Sequence, residues 1–273
     1  MPPDIAQINL TAHGMDVRTM AGTMAEYSTK GLHTHSHHQV LKIRSGVAML
    51  VDGHRRQPMF GALTAFIPAD FAHRSIVLGN PVAYKSLYLA RDLISLPDDE
   101  IRLFFITPLE SALFDRIQIL TPGDLSCNFN KECLNLFLKI LPGEMKRTAA
   151  IVRLPEPAGT LSEGVIQFIG KNYAGALSLK DFTRVIPYSE RHLSRLFKHE
   201  MNITIFEYLR LYRILIASLA LCEQDRQVTQ IALETGYESL SSFYRDFQTV
   251  YGIAPKRFRS TFSSVAGGSI VPV

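Results

Sequence analysis

The sequence predicts an α+β chain of two domains: a β-rich N-terminal half with trailing helices, then an all-α half built around two helix-turn-helix units. Three observations predict it. The apolar period changes from two to about 3.6 residues beyond Pro97. The run Arg153-Leu154-Pro155-Glu156-Pro157-Ala158-Gly159, with two prolines and a glycine, can continue neither a helix nor a strand. Beyond it one local pattern is written twice, with Ser189 and Ser239 at matching places 50 residues apart.

At 273 residues the chain can bury two cores of ordinary size. Its 47% apolar and 20% charged composition is that of a soluble globular protein, and a net charge of +4 permits an anionic partner without establishing one. No apolar run reaches the length of a membrane span, and Met1-Pro2-Pro3-Asp4-Ile5 lacks the basic and apolar regions of a secretory signal. The expected location is the cytoplasm, with no membrane partner. Cys127, Cys133 and Cys222 have no metal-type spacing and lie in apolar helical patterns, which predicts buried thiols.

From about residue 10 to 92 the chain reads as short strands between Gly, Pro and Asn turns: Val40–Ile43, Val47–Val51, Leu63–Ile67, Ser75–Leu78 and Tyr84–Leu89. Their roughly ten-residue spacing suggests a sandwich or small barrel. Asp52-Gly53 is a hairpin signal, and Gly79-Asn80-Pro81 reads as another turn. Thr107-Pro108-Leu109-Glu110 then reads as a capping box opening a helix with Leu109, Leu113, Ile117 and Leu120 on one face. A second helix is expected over 130–141, with Cys133, Leu136, Phe137 and Ile140 inward. This pair can complete the β core or form a dimer seam, and the two are compatible. The expected domains are 1–152, a linker at 153–159, and 160–273.

In the C-terminal half, Thr160 with Glu163, Ser178 with Asp181 and Thr204 with Glu207 read as helix-opening caps. Each repeat reads as helix, tight turn, helix. A short residue, Thr183 or Ala232, marks the crossing, and a breaker, Pro187 or Gly236, follows four residues on. Ser189 and Ser239 open second helices whose buried residues are Leu193, Leu196 and Phe197 in one copy and Phe243 and Phe247 in the other. The apolar helix Phe206–Leu221 lies between the units as a rigid spacer. Such spacing suits two helices entering successive major grooves.

These residues carry a specific resemblance. Residues 178–259 resemble the DNA-binding domain of the AraC/XylS family of transcription regulators, most closely through Ile231-Ala232-Leu233-Glu234-Thr235-Gly236-Tyr237-Glu238-Ser239, Phe243, Phe247, Tyr251-Gly252 and Pro255. Arg213, Ala217 and Arg259 also match, whereas Thr183, Pro187 and Ala220 depart from the pattern. The resemblance implies DNA contacts by Arg191, Ser194 and Arg195 on the first recognition helix and by Leu240, Ser241, Ser242, Tyr244 and Arg245 on the second. The chemistry agrees: Arg bonds guanine bidentately, Ser is versatile, and Leu or Tyr can meet a thymine methyl. Lys198, Lys256 and Arg257 are expected phosphate contacts.

The densest chemical cluster of the N-terminal half is His33-Thr34-His35-Ser36-His37-His38-Gln39, with His73 at a distance. Its spacing to Gly46 and to Phe66-Ile67-Pro68-Ala69-Asp70-Phe71-Ala72-His73 resembles a cupin barrel, a sensor domain in many members of that family. Alternation along a strand would point His33, His35 and His37 together, and His73 could complete a site. Gln39 stands where metal-binding cupins place a carboxylate. Three readings remain: a pocket for a small effector lined by His33, His35, Gln39 and His73, a zinc-like or nickel-like site on His33, His35 and His73, or structural histidines.

The resulting expectation is a sequence-specific transcriptional regulator and not an enzyme. Its expected partners are promoter DNA, a small-molecule effector, RNA polymerase and a second copy of the chain, and a divalent metal is its one candidate cofactor. The rival from another class is a cupin-type metal-dependent enzyme with an accessory helical domain. A helical protein-interaction module without a DNA role is a further alternative.

Overall fold

Among the described residues, seven strands organise the N-terminal half: β1 (Ala6–Asn9), β2 (Val17–Met24), β3 (His38–Val51), β4 (Arg55–Met59), β5 (Thr64–Ile67), β6 (Arg74–Leu89) and β7 (Arg102–Phe104). A computed structural model describes residues 6–9, 16–24, 31–61, 63–95, 100–121, 123–146, 152–222 and 226–263, with backbone alone at 6–9, 78–80 and 261–263. These fall into two compact units, the first within Met1–Gly53 and Pro58–Ala149, the second within His54–Gln57 and Ala150–Ser264.

The strands run in the order β1-β2-β6-β3-β4, with β5 on β3 and β7 on β5. The expected barrel is not closed: among the described strands β7 pairs with β5, and no pairing joins it to β1. β3 forks the sheet, because β5 takes only its first residues, Gln39–Lys42. Two expected turns are also redrawn. Val40–Ile43 and Val47–Val51 belong to one strand, and so do Ser75–Leu78 and Tyr84–Leu89, so Gly79-Asn80-Pro81 is no hairpin. The two long strands stay paired on both sides of an irregularity, where Ser45 faces Ala83 and Val47 faces Leu78. Gly46 makes that bulge possible. It holds φ 77, and a Cβ there would lie 2.6 Å from the Pro81 carbonyl oxygen. The Asp52-Gly53 signal does lie between β3 and β4, with Gly53 at φ 86.

One sheet face is apolar and is covered by α1 (Pro108–Gln118) and α2 (Asn128–Met145). Val17, Val40, Phe66, Leu87, Leu89 and Phe104 pack with Leu113, Phe114, Ile117, Leu134, Phe137 and Leu141 in one core. Full burial of each such side chain contributes about 1.5–3 kcal/mol, which is what holds the helices on the sheet. Thr107 caps α1 by accepting from the Glu110 N–H at 3.3 Å.

The helices exist as expected, but their buried stripes differ. Leu109 is 57% exposed and Leu136 41%, while Phe114 and Leu134 are fully buried. At about 100° per residue, α2 buries Asn130, Leu134, Phe137, Leu141 and Met145. Cys133 and Ile140 lie on its margin. The cysteine expectation also fails: Cys127 is exposed at the N-terminus of α2, and Cys133 and Cys222 are half-buried. Polar neighbours at Ser126 and Asn128 place Cys127 outside any apolar stripe.

In the second unit, β8 (Leu154–Pro155) pairs with Arg56 and Arg55 of β4, and Arg56 is ion-paired with Glu156. Part of the stretch expected as a linker is therefore a short edge strand, a position that tolerates proline. The helices are α3 (Thr160–Asn172), α4 (Leu179–Thr183), α5 (Glu190–Met201), α6 (Ile205–Cys222), α7 (Val228–Glu234), α8 (Leu240–Tyr251) and α9 (Pro255–Ser263). Gly159, not Thr160, precedes α3 as its cap residue, and its N–H donates to Ser162 Oγ at 3.1 Å. The other two caps form as expected. Ser178 N–H donates to Asp181 at 2.9 Å, and Thr204 and Glu207 exchange bonds of 2.8 and 3.2 Å. α6 packs against α3, α5, α7, α8 and α9, burying Tyr208, Leu209, Ile214, Leu215, Ala217 and Leu221. No helix among the described residues is long and apolar enough to cross a membrane.

Candidate nucleic-acid interface and sensor site

α5 and α8 are built to one plan. Each has 12 residues and starts after a serine whose hydroxyl accepts a backbone N–H, Ser189 from His192 at 3.4 Å and Ser239 from Ser242 at 3.2 Å. Each ends on a left-handed residue, Asn202 at φ 56 and Gly252 at φ 71. Each buries one narrow stripe, Leu193, Phe197 and Met201 in α5, and Phe243, Phe247 and Tyr251 in α8. Leu196, expected in that stripe, is half-buried. The remaining residues of each helix are exposed or half-buried.

The turns before these helices are not the same length. Leu179 and Val228, which open α4 and α7, stand 49 residues apart, whereas Ser189 and Ser239 stand 50 apart. α7 is two residues longer than α4, and its turn, 235–239 against 184–189, is one residue shorter and contains Gly236 at φ 86. A Cβ on Gly236 would lie 2.8 Å from the Tyr173 carbonyl oxygen and 2.9 Å from the Arg213 guanidinium. Arg213 fills that space because its Nε donates to Tyr173 O at 2.8 Å and its Nη2 to Gly175 O at 2.7 Å. It thus ties α6 to the loop after α3 beside the second turn. In the first turn, Thr183 is half-buried and its hydroxyl donates to Lys180 O at 3.1 Å, so the polar side chain is satisfied within its own helix.

The solvent faces carry the expected contact residues. On α5, Arg191, Arg195 and Lys198 are exposed at i, i+4 and i+7, with Ser194 half-buried between them. On α8, Leu240, Ser241 and Arg245 are exposed, and Tyr244 and Ser242 are half-buried. Ser242 also serves the cap, since Ser239 Oγ lies 2.9 Å from its hydroxyl. Lys256 and Arg257 are exposed on the first turn of α9. Capped helix starts present backbone N–H groups as well, a favourable setting for phosphate. Sequence reasoning missed Asp246, only 14% exposed at its side chain, which meets the Tyr237 hydroxyl at 3.3 Å. An acidic residue beside the arginine of a reading helix was the available signal.

In the first unit the histidines do converge. The His33 and His73 backbones exchange bonds of 2.9 and 3.0 Å, and their rings lie 4.3 Å apart. His35 lies 5.0 Å from His73 and 5.3 Å from Tyr88. His37 does not join them. Residues 34–37 are not strand, so alternation does not hold there, and His37 Nε2 is 2.9 Å from Asp16. His35 donates from Nδ1 to the His37 carbonyl at 2.6 Å, and its Nε2 lies 3.0 Å from Gln39 Oε1. Gln39 in turn donates to Ser86 Oγ at 2.8 Å. Each ring nitrogen of His35 thus faces an acceptor oxygen, and a neutral imidazole donates to only one of them. Among the described residues no group of three or more His, Cys, Asp or Glu is arranged to hold a metal ion. Burial pushes the His73 imidazole down to about 4, with His33 and His35 adding to the shift against its backbone bond to Phe71, and burial also lowers His33.

A helix-turn-helix domain profile matches residues 182–261. An HTH-type transcriptional regulator of Bacillus subtilis, YtdP, is 33% identical over 99 residues, covering 36% of this chain and 13% of that protein. The melibiose operon regulatory protein of Escherichia coli K12 is 28% identical over 95 residues, covering 35% of this chain and 32% of that one. Among solved structures, ToxT of Vibrio cholerae aligns over 90% of this chain and 99% of its own at 13% identity, with a TM-score of 0.39, too slight a likeness to argue from. The segment so matched is a helix-turn-helix domain, and both of these relatives are named as regulators. The chain spans no more than about a third of either curated relative.

Proposed function

We propose that the whole chain is a sequence-specific regulator of promoter activity, with the domain division at 153–159 read from the sequence. α5 and α8 read base edges through Arg191, Ser194, Arg195, Leu240, Ser241, Ser242, Tyr244 and Arg245, and Lys198, Lys256 and Arg257 meet phosphates. The carrying observation is the pair of equally long, serine-capped helices, each buried along one narrow stripe and exposed along a polar face. The N-terminal half performs no catalysis. It binds a small effector beside His33, His35, Gln39 and His73, whose rings and amide lie together in the structure. The chain works in the cytoplasm as a homodimer and acts through RNA polymerase.

The test is a gel shift against promoter fragments. Arg195→Ala and Arg245→Ala should each weaken binding about 10- to 100-fold with the circular dichroism melt unchanged, as loss of a bidentate arginine contact requires. Unchanged affinity in both variants would sink the assignment.

A further inference from the structure

α8 carries a carboxylate that DNA would repel, and the structure gives it three partners. Asp246 directly follows the exposed Arg245, yet its own side chain is only 14% exposed, against 73% for Arg245. Its Oδ2 accepts from the Tyr237 hydroxyl of the preceding turn at 3.3 Å. Its Oδ1 lies 4.0 Å from Arg210 of α6 and 3.7 Å from Nε of Arg245. One carboxylate thus joins the turn, the spacer helix and the reading arginine. Tyr237 is itself anchored, 8% exposed and edge-on to Phe243 at 5.3 Å.

We propose that Asp246 is a positioning residue for DNA reading: it holds Arg245 by its Nε edge, aims the two Nη groups outward, and fixes α8 against the turn and α6. This rests on the proposed DNA-binding role. An ion pair this exposed contributes little to stability. Its consequence is orientation, which affects base discrimination more than total affinity. Asp246 also offsets positive charge on the reading face, so it lowers nonspecific attraction to any duplex.

The two effects predict opposite changes on two probes. Take a duplex enriched from a random-sequence pool by the full-length chain, and a shuffled duplex of the same length and composition. Asp246→Asn should bind the shuffled duplex more tightly and the enriched one no more tightly, so that the ratio of the two affinities falls about 5- to 10-fold. Tyr237→Phe, which keeps the ring and drops the hydroxyl, should lower the ratio in the same direction by less. Placed on Arg245→Ala, Asp246→Asn should leave the ratio unchanged. Three results overturn the proposal: an unchanged ratio, tighter binding of both duplexes by one factor, or a lowered ratio that persists without Arg245. If the unaltered chain enriches no duplex, the DNA-binding reading itself fails.

Discussion

Single residues in this chain are decided by what surrounds them more than by their type. His73 has two neighbouring imidazoles and is 2% exposed, and burial holds its imidazole at about 4 against the usual 6.5. Between those values the unfolded chain binds a proton that the folded chain refuses, so stability rises with pH across that window. Acidification from pH 7 toward 4 should therefore remove up to about 3 kcal/mol from the first unit. His73→Gln should flatten the fall in melting temperature between pH 7 and 5. Equal slopes in both proteins would show that the histidine cluster does not govern acid stability. The motif His33 to Gln39 was visible in the sequence, but the turn of His37 toward Asp16 was not, because it depends on residues 34–37 leaving the strand.

At the scale of elements, the two helix-turn-helix units share recognition helices and differ in their turns. Gly236 and Gly252 both have positive φ, yet only Gly236 is crowded, by Tyr173 O and Arg213. Nothing lies within 4 Å of a Cβ placed on Gly252. Gly252→Ala should then cost about 1 kcal/mol, and Gly236→Ala at least about 2 kcal/mol because backbone must also move. Urea denaturation of both variants checks the order, and a larger loss at Gly252 would contradict it. The sequence pattern located both glycines, but only packing separates them. In α2 the pattern was legible yet misassigned. Phe129, Cys133, Leu136 and Ile140 form a second stripe beside the buried one, with Phe129 61% and Leu136 41% exposed. Two apolar stripes on one helix look alike in sequence, and only the sheet chooses which is covered.

For the whole molecule, that outer stripe of α2 has the i, i+4, i+7 and i+11 spacing of a helix-helix seam, and the proposed homodimer predicts that a second copy covers it. Leu136→Glu should convert the chain to a monomer in sedimentation velocity while its melt stays cooperative, and an unchanged sedimentation coefficient would refute the seam. By itself the sequence determined the α+β composition, the two serine-capped recognition helices and their basic and apolar faces. Those depend on local periods and caps, which a helix carries wherever it packs. Only the tertiary structure decided the open sheet, the bulge at Gly46 in place of a hairpin, the stripe by which each trailing helix is buried, and the setting of Asp246 between Arg210, Tyr237 and Arg245. Each of these joins residues distant in the chain, and burial and close approach, which local pattern does not encode, select among arrangements that the sequence allows equally.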